Sequence, residues 1–279
     1  MPYQILRSMK NSLFHTFIRK TKYFIFLLTV VGINSCEKEN DLCQDNTKIR
    51  QVNAEDLIRE QMTYNVDCRV SEFVQEFSYK KYSYNSQGQL IKTEQAITLD
   101  PTSCFMPTPS DGETFADPRK APVTQYKTYE YDEEGRLSKK LDYYLNGEQF
   151  HLVSYQTFDY ENGVIKQMNR YNPQHELSER NTYTYDKNGN IIRDEYFFKE
   201  TETSFVLMSK YEYVFDDKVN PYRIFEDEGL PGMYTNPNNI VKSTFTGYDS
   251  NAYITEYTYE YNASGLPVKM NNLTFTYGD

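Results

Sequence analysis

The sequence predicts an all-β protein, an antiparallel meander of hairpins, on two observations. The first is a phrase that returns along the chain: "YSYNSQGQLIK" from Tyr82, "YEYDEEGRLSK" from Tyr129, "YTYDKNGNIIR" from Tyr183 and "YEYNASGLPVK" from Tyr259. Each puts aromatics six and four residues before a glycine and a cation four after it. "FDYENGVIK" from Phe158 is one turn residue shorter, and "YEYVFDDKVNP" from Tyr211 has lost its glycine. Internal repetition of this kind outranks any single motif. The second observation is the period within the phrase. Y-x-Y alternates, so both rings leave one face of a strand, and aromatic residues suit a pleated surface. The polar residues ending in glycine form a turn, in which Gly88, Gly135, Gly163, Gly189 and Gly265 take the left-handed conformation and close a hairpin with a bulge. Leu90, Leu137, Ile165, Ile191 and Val268 then begin the return strand.

Taken from the N-terminus, residues 1–35 have the pattern of a signal peptide. Arg7, Lys10, Arg19, Lys20 and Lys22 precede an apolar run, Tyr23 to Ile33, that is shorter than the roughly 20 residues needed to span a bilayer. "GINSC" then places Ser35 before Cys36, and the chain turns hydrophilic. This resembles a lipobox, although Ile33 and Asn34 depart mildly from the usual residues. The resemblance implies cleavage before Cys36 and acylation of its thiol, hence a membrane partner held through lipid. Anchoring then takes more than one acyl chain, since one alone binds reversibly. Glu37-Lys38-Glu39 resembles the acidic export tag of surface lipoproteins from Bacteroides-type bacteria, which implies an outer-membrane protein exposed at the cell surface, with the periplasmic face as the alternative.

Residues 36–70 are expected to form the lipidated tether and a short helix. The helix is predicted from "NAEDLIREQM" at Asn53, which has a capping residue, early acids and Leu57, Ile58 and Met62 at helical spacing. With Cys36 lipidated, Cys43, Cys68 and Cys104 remain, an odd number in an oxidising compartment. Cys68–Cys104 is the favoured disulfide, because both flank the start of the ordered region.

Residues 71–279 are expected to be the repeat domain. Five prolines between Leu99 and Pro122 predict a long loop. Asn146-Gly147, Asn172-Pro173 and Lys199–Glu202 mark the opposite hairpin ends, and a second insertion starts at Asn220. After Gly135 one strand face reads Leu137, Lys139, Leu141, Tyr143 and the other Ser138, Lys140, Asp142, Tyr144. Neither is cleanly apolar, as a sandwich would need. One long curved sheet is therefore expected, packed by tyrosine bodies and lysine stems, with a small closed barrel as the alternative. The pattern Y-x-Y-D-x-x-G-x-[LI], over roughly Tyr79 to Tyr277, resembles the YD repeat of RHS proteins and its short versions in lipoproteins of Bacteroides-type bacteria. Large RHS proteins wind dozens of units into a shell around a toxin. About six units here do not carry that role over.

Chemistry is sparse. Losing residues 1–35 removes five cations and no acid, so the net charge goes from −10 to −15, which repels nucleic-acid phosphates. His151 and His175 stand alone, and no nucleophile elbow, phosphate loop or zinc-protease motif occurs. No metal or cofactor is expected. "DKNGN" lacks a calcium loop's sixth-position glycine and twelfth-position acid, and adjacent acids such as Glu133-Glu134 point apart in a polar turn. The repeat tyrosines are expected in the core. Tyr222, Phe225, Tyr234 and Tyr248, outside the repeats, are the expected ligand contacts. The sequence thus predicts a non-catalytic binding or structural module of the cell envelope. Its possible partners are a polysaccharide or another envelope protein, with glycan capture for nutrient uptake as one alternative and a hydrolase as the other.

Overall fold

The computed structural model describes residues 43, 45–55, 57–98 and 117–278. The signal peptide, Cys36, Cys104 and most of the Leu99–Pro122 segment lie outside them.

The described chain is all β. Its strands are β1 (Ile49–Ala54), β2 (Leu57–Tyr64), β3 (Val70–Gln75), β4 (Ser78–Tyr84), β5 (Leu90–Ile97), β6 (Val123–Tyr131), β7 (Leu137–Asn146), β8 (Gln149–Glu161) and β9 (Val164–Tyr171). There follow β10 (Leu177–Tyr185), β11 (Ile191–Lys199), β12 (Phe205–Val219), β13 (Asn238–Gly247), β14 (Ala252–Glu256), β15 (Tyr259–Tyr261), β16 (Pro267–Met270) and β17 (Leu273–Tyr277). All 17 belong to one sheet. Antiparallel neighbours follow chain order from β2 to β14, while β1 pairs with both β2 and β17, and β17 continues through β16 to β15. Among the described residues no strand pair closes the ladder. Its two ends, β14 and β15, are consecutive pieces of one stretch joined through Tyr257 and Thr258. The predicted long curved meander is what the chain forms.

The turns of the four full-length copies are built the same way. The residue after Y-x-Y is Asn85, Asp132, Asp186 or Asn262, and its side-chain oxygen accepts the N–H groups two and four residues on. That local bond pulls the chain into a tight loop. The loop closes only if the fourth residue turns left-handed. Gly88, Gly135, Gly189 and Gly265 do so, with φ between +77° and +88°, and the ladder bulges beside each turn, as between Glu130 and Tyr131; the shorter copy turns through two left-handed residues, Asn162 at φ 52° and Gly163 at φ 81°.

The two tyrosines of the phrase divide the labour. The first ring enters the core: Tyr82, Tyr129 and Tyr183 are buried, and Met62, Phe158 and Phe275 hold the equivalent place. The second lies partly buried and donates its hydroxyl to a backbone carbonyl of the preceding unit. Tyr84 reaches Val70 at 2.9 Å, Tyr131 reaches Leu90 at 2.9 Å, Tyr160 reaches Leu137 at 2.9 Å and Tyr185 reaches Ile165 at 2.8 Å. Tyr277 does the same to Pro267 at 2.7 Å, and Tyr64 to Ile49. A phenol satisfies a bulged carbonyl here while its ring covers the core.

Three expectations are corrected. The helix predicted at Asn53 is instead a hairpin of β1 and β2, with Glu55 at φ 54° between them. Leu57 and Ile58 are exposed, while Met62 and Tyr64 are buried at period two. Pairing of β1 with β17, far away in sequence, overrode the local capping signal. The sheet accordingly starts at Ile49, inside the stretch assigned to the tether. The disulfide joins Cys43 to Cys68, not Cys68 to Cys104. "YNVDCRV" is a further copy of the repeat turn: Asn65 takes the Asx role and Cys68, at φ 57°, stands where other copies have glycine. That turn holds Cys68 with its Cα 4.8 Å from that of Cys43. Asn172–Glu176 is another such copy, with His175 at φ 66° in the glycine's place.

The insertion between β12 and β13 carries a helix of 3-10 type, Pro221–Glu228, capped by the Asn220 side chain and ended by Gly229 in the left-handed conformation. The sheet curves around it. Phe225 lies 4.8 Å from Phe73 of β3 and 6.2 Å from Tyr82 of β4, centroid to centroid. Tyr222 meets Phe275 of β17 edge-on at 5.9 Å. Gly229 abuts Leu137 of β7 so closely that a Cβ would fall 2.1 Å from the leucine Cδ2.

Candidate functional site

The helix contacts correct the expected binding residues. Tyr222 and Phe225 are 7% and 2% exposed. They are core residues, because the helix turns its aromatic side onto the face lined by the first tyrosine of each repeat. Tyr234 packs 5.1 Å from Phe225 and supports it. Only Tyr248, at the tip of the β13–β14 hairpin, stays exposed as expected, at 71%. The four do not form one surface.

The core face changes character with distance from the repeat turns. Near the turns it is aromatic and aliphatic; further along it becomes polar, and Glu228 marks the transition. Its carboxylate accepts from Lys80 Nζ at 2.8 Å and from Tyr82 OH at 2.6 Å. Burial alone would raise its pKa, but Lys80, the Tyr82 hydroxyl and Lys127 outweigh burial and hold it below the usual glutamate range. Beside it, Arg69 of the β2–β3 turn bonds Asp227 at 2.8 Å.

Beyond Glu228, register assembles a group that no local motif announces. Lys140 of β7 faces Tyr129 on β6 and Gln156 on β8, and Gln156 faces Arg170 on β9. Two residues on, Asp142 lies between Lys127 and Ser154. Lys127 and Asp142 are 3.4 Å apart, Ser154 Oγ donates to Asp142 Oδ2 at 3.2 Å, and Arg170 Nε lies 3.1 Å from Glu179 of β10. Lys127, Asp142, Ser154, Arg170 and Glu179 line one side of a cleft of about 510 Å³ that also takes in Tyr144, Tyr171 and Ser178; Lys140 and Gln156 are not among its lining residues. A neighbouring cleft of about 540 Å³ shares Asn172 and Ser178 with it and runs past His175 to Phe198 and Lys199.

Two features set this group apart. Lys140 is 1% exposed and makes no hydrogen bond or ion pair with the described residues. Burial, reinforced by Lys127, pulls its pKa down to about 7 against the opposing pull of Asp142 and Glu228. Gln156 Oε1 is buried without a hydrogen-bond donor, while Asp142 Oδ1 and Arg170 Nε are buried with an ion-pair partner but no aligned hydrogen bond. Asp142 Oδ1 and Arg170 Nε each face an ion-pair partner, Lys127 and Glu179, without an aligned hydrogen bond, so the two pairs at the cleft leave polar capacity unused. Among the described residues no group of three or more His, Cys, Asp or Glu is placed to hold a metal ion. Sequence reading missed Lys127, Lys140, Asp142, Gln156 and Arg170 as site residues. The signal was the mixed character of the β7 faces, where charges occupy positions that the sheet buries.

No known protein family and no curated relative matches the sequence. Among solved structures, a porin-like protein of Bacteroides vulgatus superposes with TM-score 0.50 at 10% identity, over 82% of this chain and 98% of that one. A porin-like protein of Bacteroides uniformis gives 0.36 at 14% identity, over 74% and 92%. The toxin-complex structure TcdB2-TccC3-Cdc42 gives 0.21 at 12% identity, over 78% of this chain and 14% of that one. The first of these likenesses is one of fold.

Proposed function

We propose that the chain is a non-catalytic binding module of the bacterial envelope, held at the outer membrane by lipid on Cys36, and that it captures polysaccharide in the cleft between β6 and β10. The observation carrying this reading is the row of charged and polar side chains, Lys127, Asp142, Ser154, Arg170 and Glu179, that lines an open cleft together with Tyr144 and Tyr171. A site of a few hundred Å³ with convergent polar groups and aromatic walls is the kind that holds a small polar ligand. Asp142 and Glu179 are each engaged by a cation, an arrangement suited to recognition more than to the acid–base pair that glycoside cleavage needs. The lipobox at Cys36 and the repeat's likeness to Bacteroides-type lipoproteins support the location.

The test uses the full-length protein in a bacterial host and in detergent. Labelled palmitate is expected to enter the wild type and to be lost in Cys36→Ser. Binding to a polysaccharide panel is expected for wild type and is expected to disappear in Ser178→Trp, which fills the cleft and leaves its charges in place. Binding that survives Ser178→Trp would move the site elsewhere, and equal labelling of Cys36→Ser would remove the anchor.

A further inference from the structure

Resting on that reading, we infer that the two neighbouring clefts act as one groove for an extended run of neutral sugars, with Tyr144 and Phe198 as stacking platforms at its two ends.

Unequal strand lengths create the groove. β8 begins at Gln149, but its pairing with β9 begins only at Tyr155, so residues 149–154 pair with β7 alone among the described residues. Six residues of strand are about 20 Å long. The β9–β10 hairpin therefore forms a step beside the longer β7–β8 hairpin. Val153 and Ser154, on the free edge at that step, line the first cleft. Such an edge presents backbone N–H and C=O groups without strand partners, and sugar hydroxyls can bond to both. Asn172 and Ser178, on either side of the β9–β10 turn, line both clefts, so the open space continues across the turn.

Two rings mark the ends. Tyr144 of β7 lines the first cleft and Phe198 of β11 the second, and each is 48% exposed. Both belong to the same sheet face. Tyr144 alternates with Asp142 and Lys140 along β7, and Phe198 opposes Glu179, which opposes Arg170. Elsewhere on that face Tyr129 and Tyr183 are buried in the core. These two rings stay half open, each with a flat apolar surface on which a sugar ring can stack. Four strand spacings separate β7 from β11, about 19 Å across the sheet. One sugar ring cannot touch both platforms, whereas an oligomer can.

Charge selects the kind of sugar. The cations lining the groove are paired within it: Lys127 with Asp142 at 3.4 Å, Arg170 with Glu179 at 3.1 Å and Lys199 with Glu202 at 3.6 Å. Glu176, also on the lining, accepts from Asn172 Nδ2 at 2.8 Å. Among the described lining residues no cation is left over to compensate an acidic sugar, and a chain of net charge −10 repels a polyanion. Uncharged hydroxyls need no such compensation. They can donate to the carboxylates and accept from the ammonium and guanidinium groups without breaking the pairs.

The experiment is calorimetric titration of the full-length protein in detergent with neutral disaccharides and hexasaccharides of glucose, mannose and xylose, and with a galacturonate hexamer. At least one neutral hexasaccharide is expected to bind about tenfold or more tighter than its own disaccharide and than the uronate. Tyr144→Ala and Phe198→Ala should each weaken hexasaccharide binding by about fivefold, the worth of one aromatic stacking contact. Both should keep the wild-type melting temperature, because each ring is half exposed. Tyr144→Phe and Phe198→Tyr retain a ring and should bind as wild type does, which separates loss of stacking from loss of fold. Equal affinity for disaccharide and hexasaccharide, unchanged in both alanine variants, would overturn the inference and leave the binding module standing. Tighter binding of the uronate would overturn the neutral assignment. Failure of every sugar to bind would overturn the parent reading as well.

Discussion

At the scale of single residues, burial decides which aromatics hold the protein together and which are free to touch something else. Tyr222 and Phe225 sit in a polar-looking insertion rich in Pro, Asn and Gly, yet both rings pack among Phe73, Tyr82, Tyr234 and Phe275. Truncating a buried aromatic removes its transfer energy and leaves a cavity, about 3–5 kcal/mol per ring. Tyr222→Ala and Phe225→Ala should each lose stability on that scale in urea denaturation. Tyr248→Ala, at an exposed hairpin tip, should stay within about 0.5 kcal/mol of wild type. A small effect at Phe225 would mean that the helix does not pack into the sheet as described.

At the scale of one hairpin, the turn is the unit of specification. Asp132 and Asp186 organise their loops through side-chain bonds to backbone N–H groups, and Gly135 and Gly189 complete them at positive φ. Neither glycine is crowded: the nearest atom to an added Cβ is 3.6 Å away at Gly135 and 3.7 Å at Gly189. Any cost of substitution there is therefore backbone strain and not steric clash. Gly135→Val and Gly189→Val should each cost roughly 1–3 kcal/mol and lower the melting temperature. An Asn at either position should recover much of the loss, because Asn tolerates the left-handed region. If valine and asparagine behaved alike, the left-handed turn would not be what the glycines supply.

At the scale of the whole molecule, the inserted helix ties together strands that are remote in the ladder, and Glu228 is its polar anchor. Its folded pKa is depressed, so its contribution is present above the unfolded value near 4.5 and is lost as pH falls through the folded value. Glu228→Gln should cost about 1.5–3 kcal/mol at neutral pH, the range for hydrogen bonds to a charged group. The gap between variant and wild type should close as pH drops below about 4.5. Denaturation curves at pH 7 and pH 3 would check this; a gap that does not narrow would mean that the Lys80–Glu228–Tyr82 contact carries little stability.

The repeat, its strand period, its turns and the structural role of Y-x-Y were all legible in the chain, because each rests on residues within about ten positions of one another. Local hydrogen bonds from Asn or Asp, the left-handed glycine and side-chain alternation are short-range physics. Asn172-Pro173 reads as a turn, but neither it nor Asn65 reads as a copy of the repeat turn, because Cys68 and His175 hold the glycine's place, where only the backbone angle reveals the equivalence. What tertiary structure alone decided depends on contacts distant in sequence. The pairing of β1 with β17 turned a helix signal into a strand. The helix between β12 and β13 folded onto strands β3 and β4, which buried Tyr222 and Phe225 and removed them as contact residues. Register across β6 to β9 put Lys140, Asp142, Gln156 and Arg170 side by side, and no spacing within a single strand encodes that neighbourhood. Burial then drew the Lys140 pKa toward neutrality, a property that the folded sheet confers and an isolated strand, open to water, does not have.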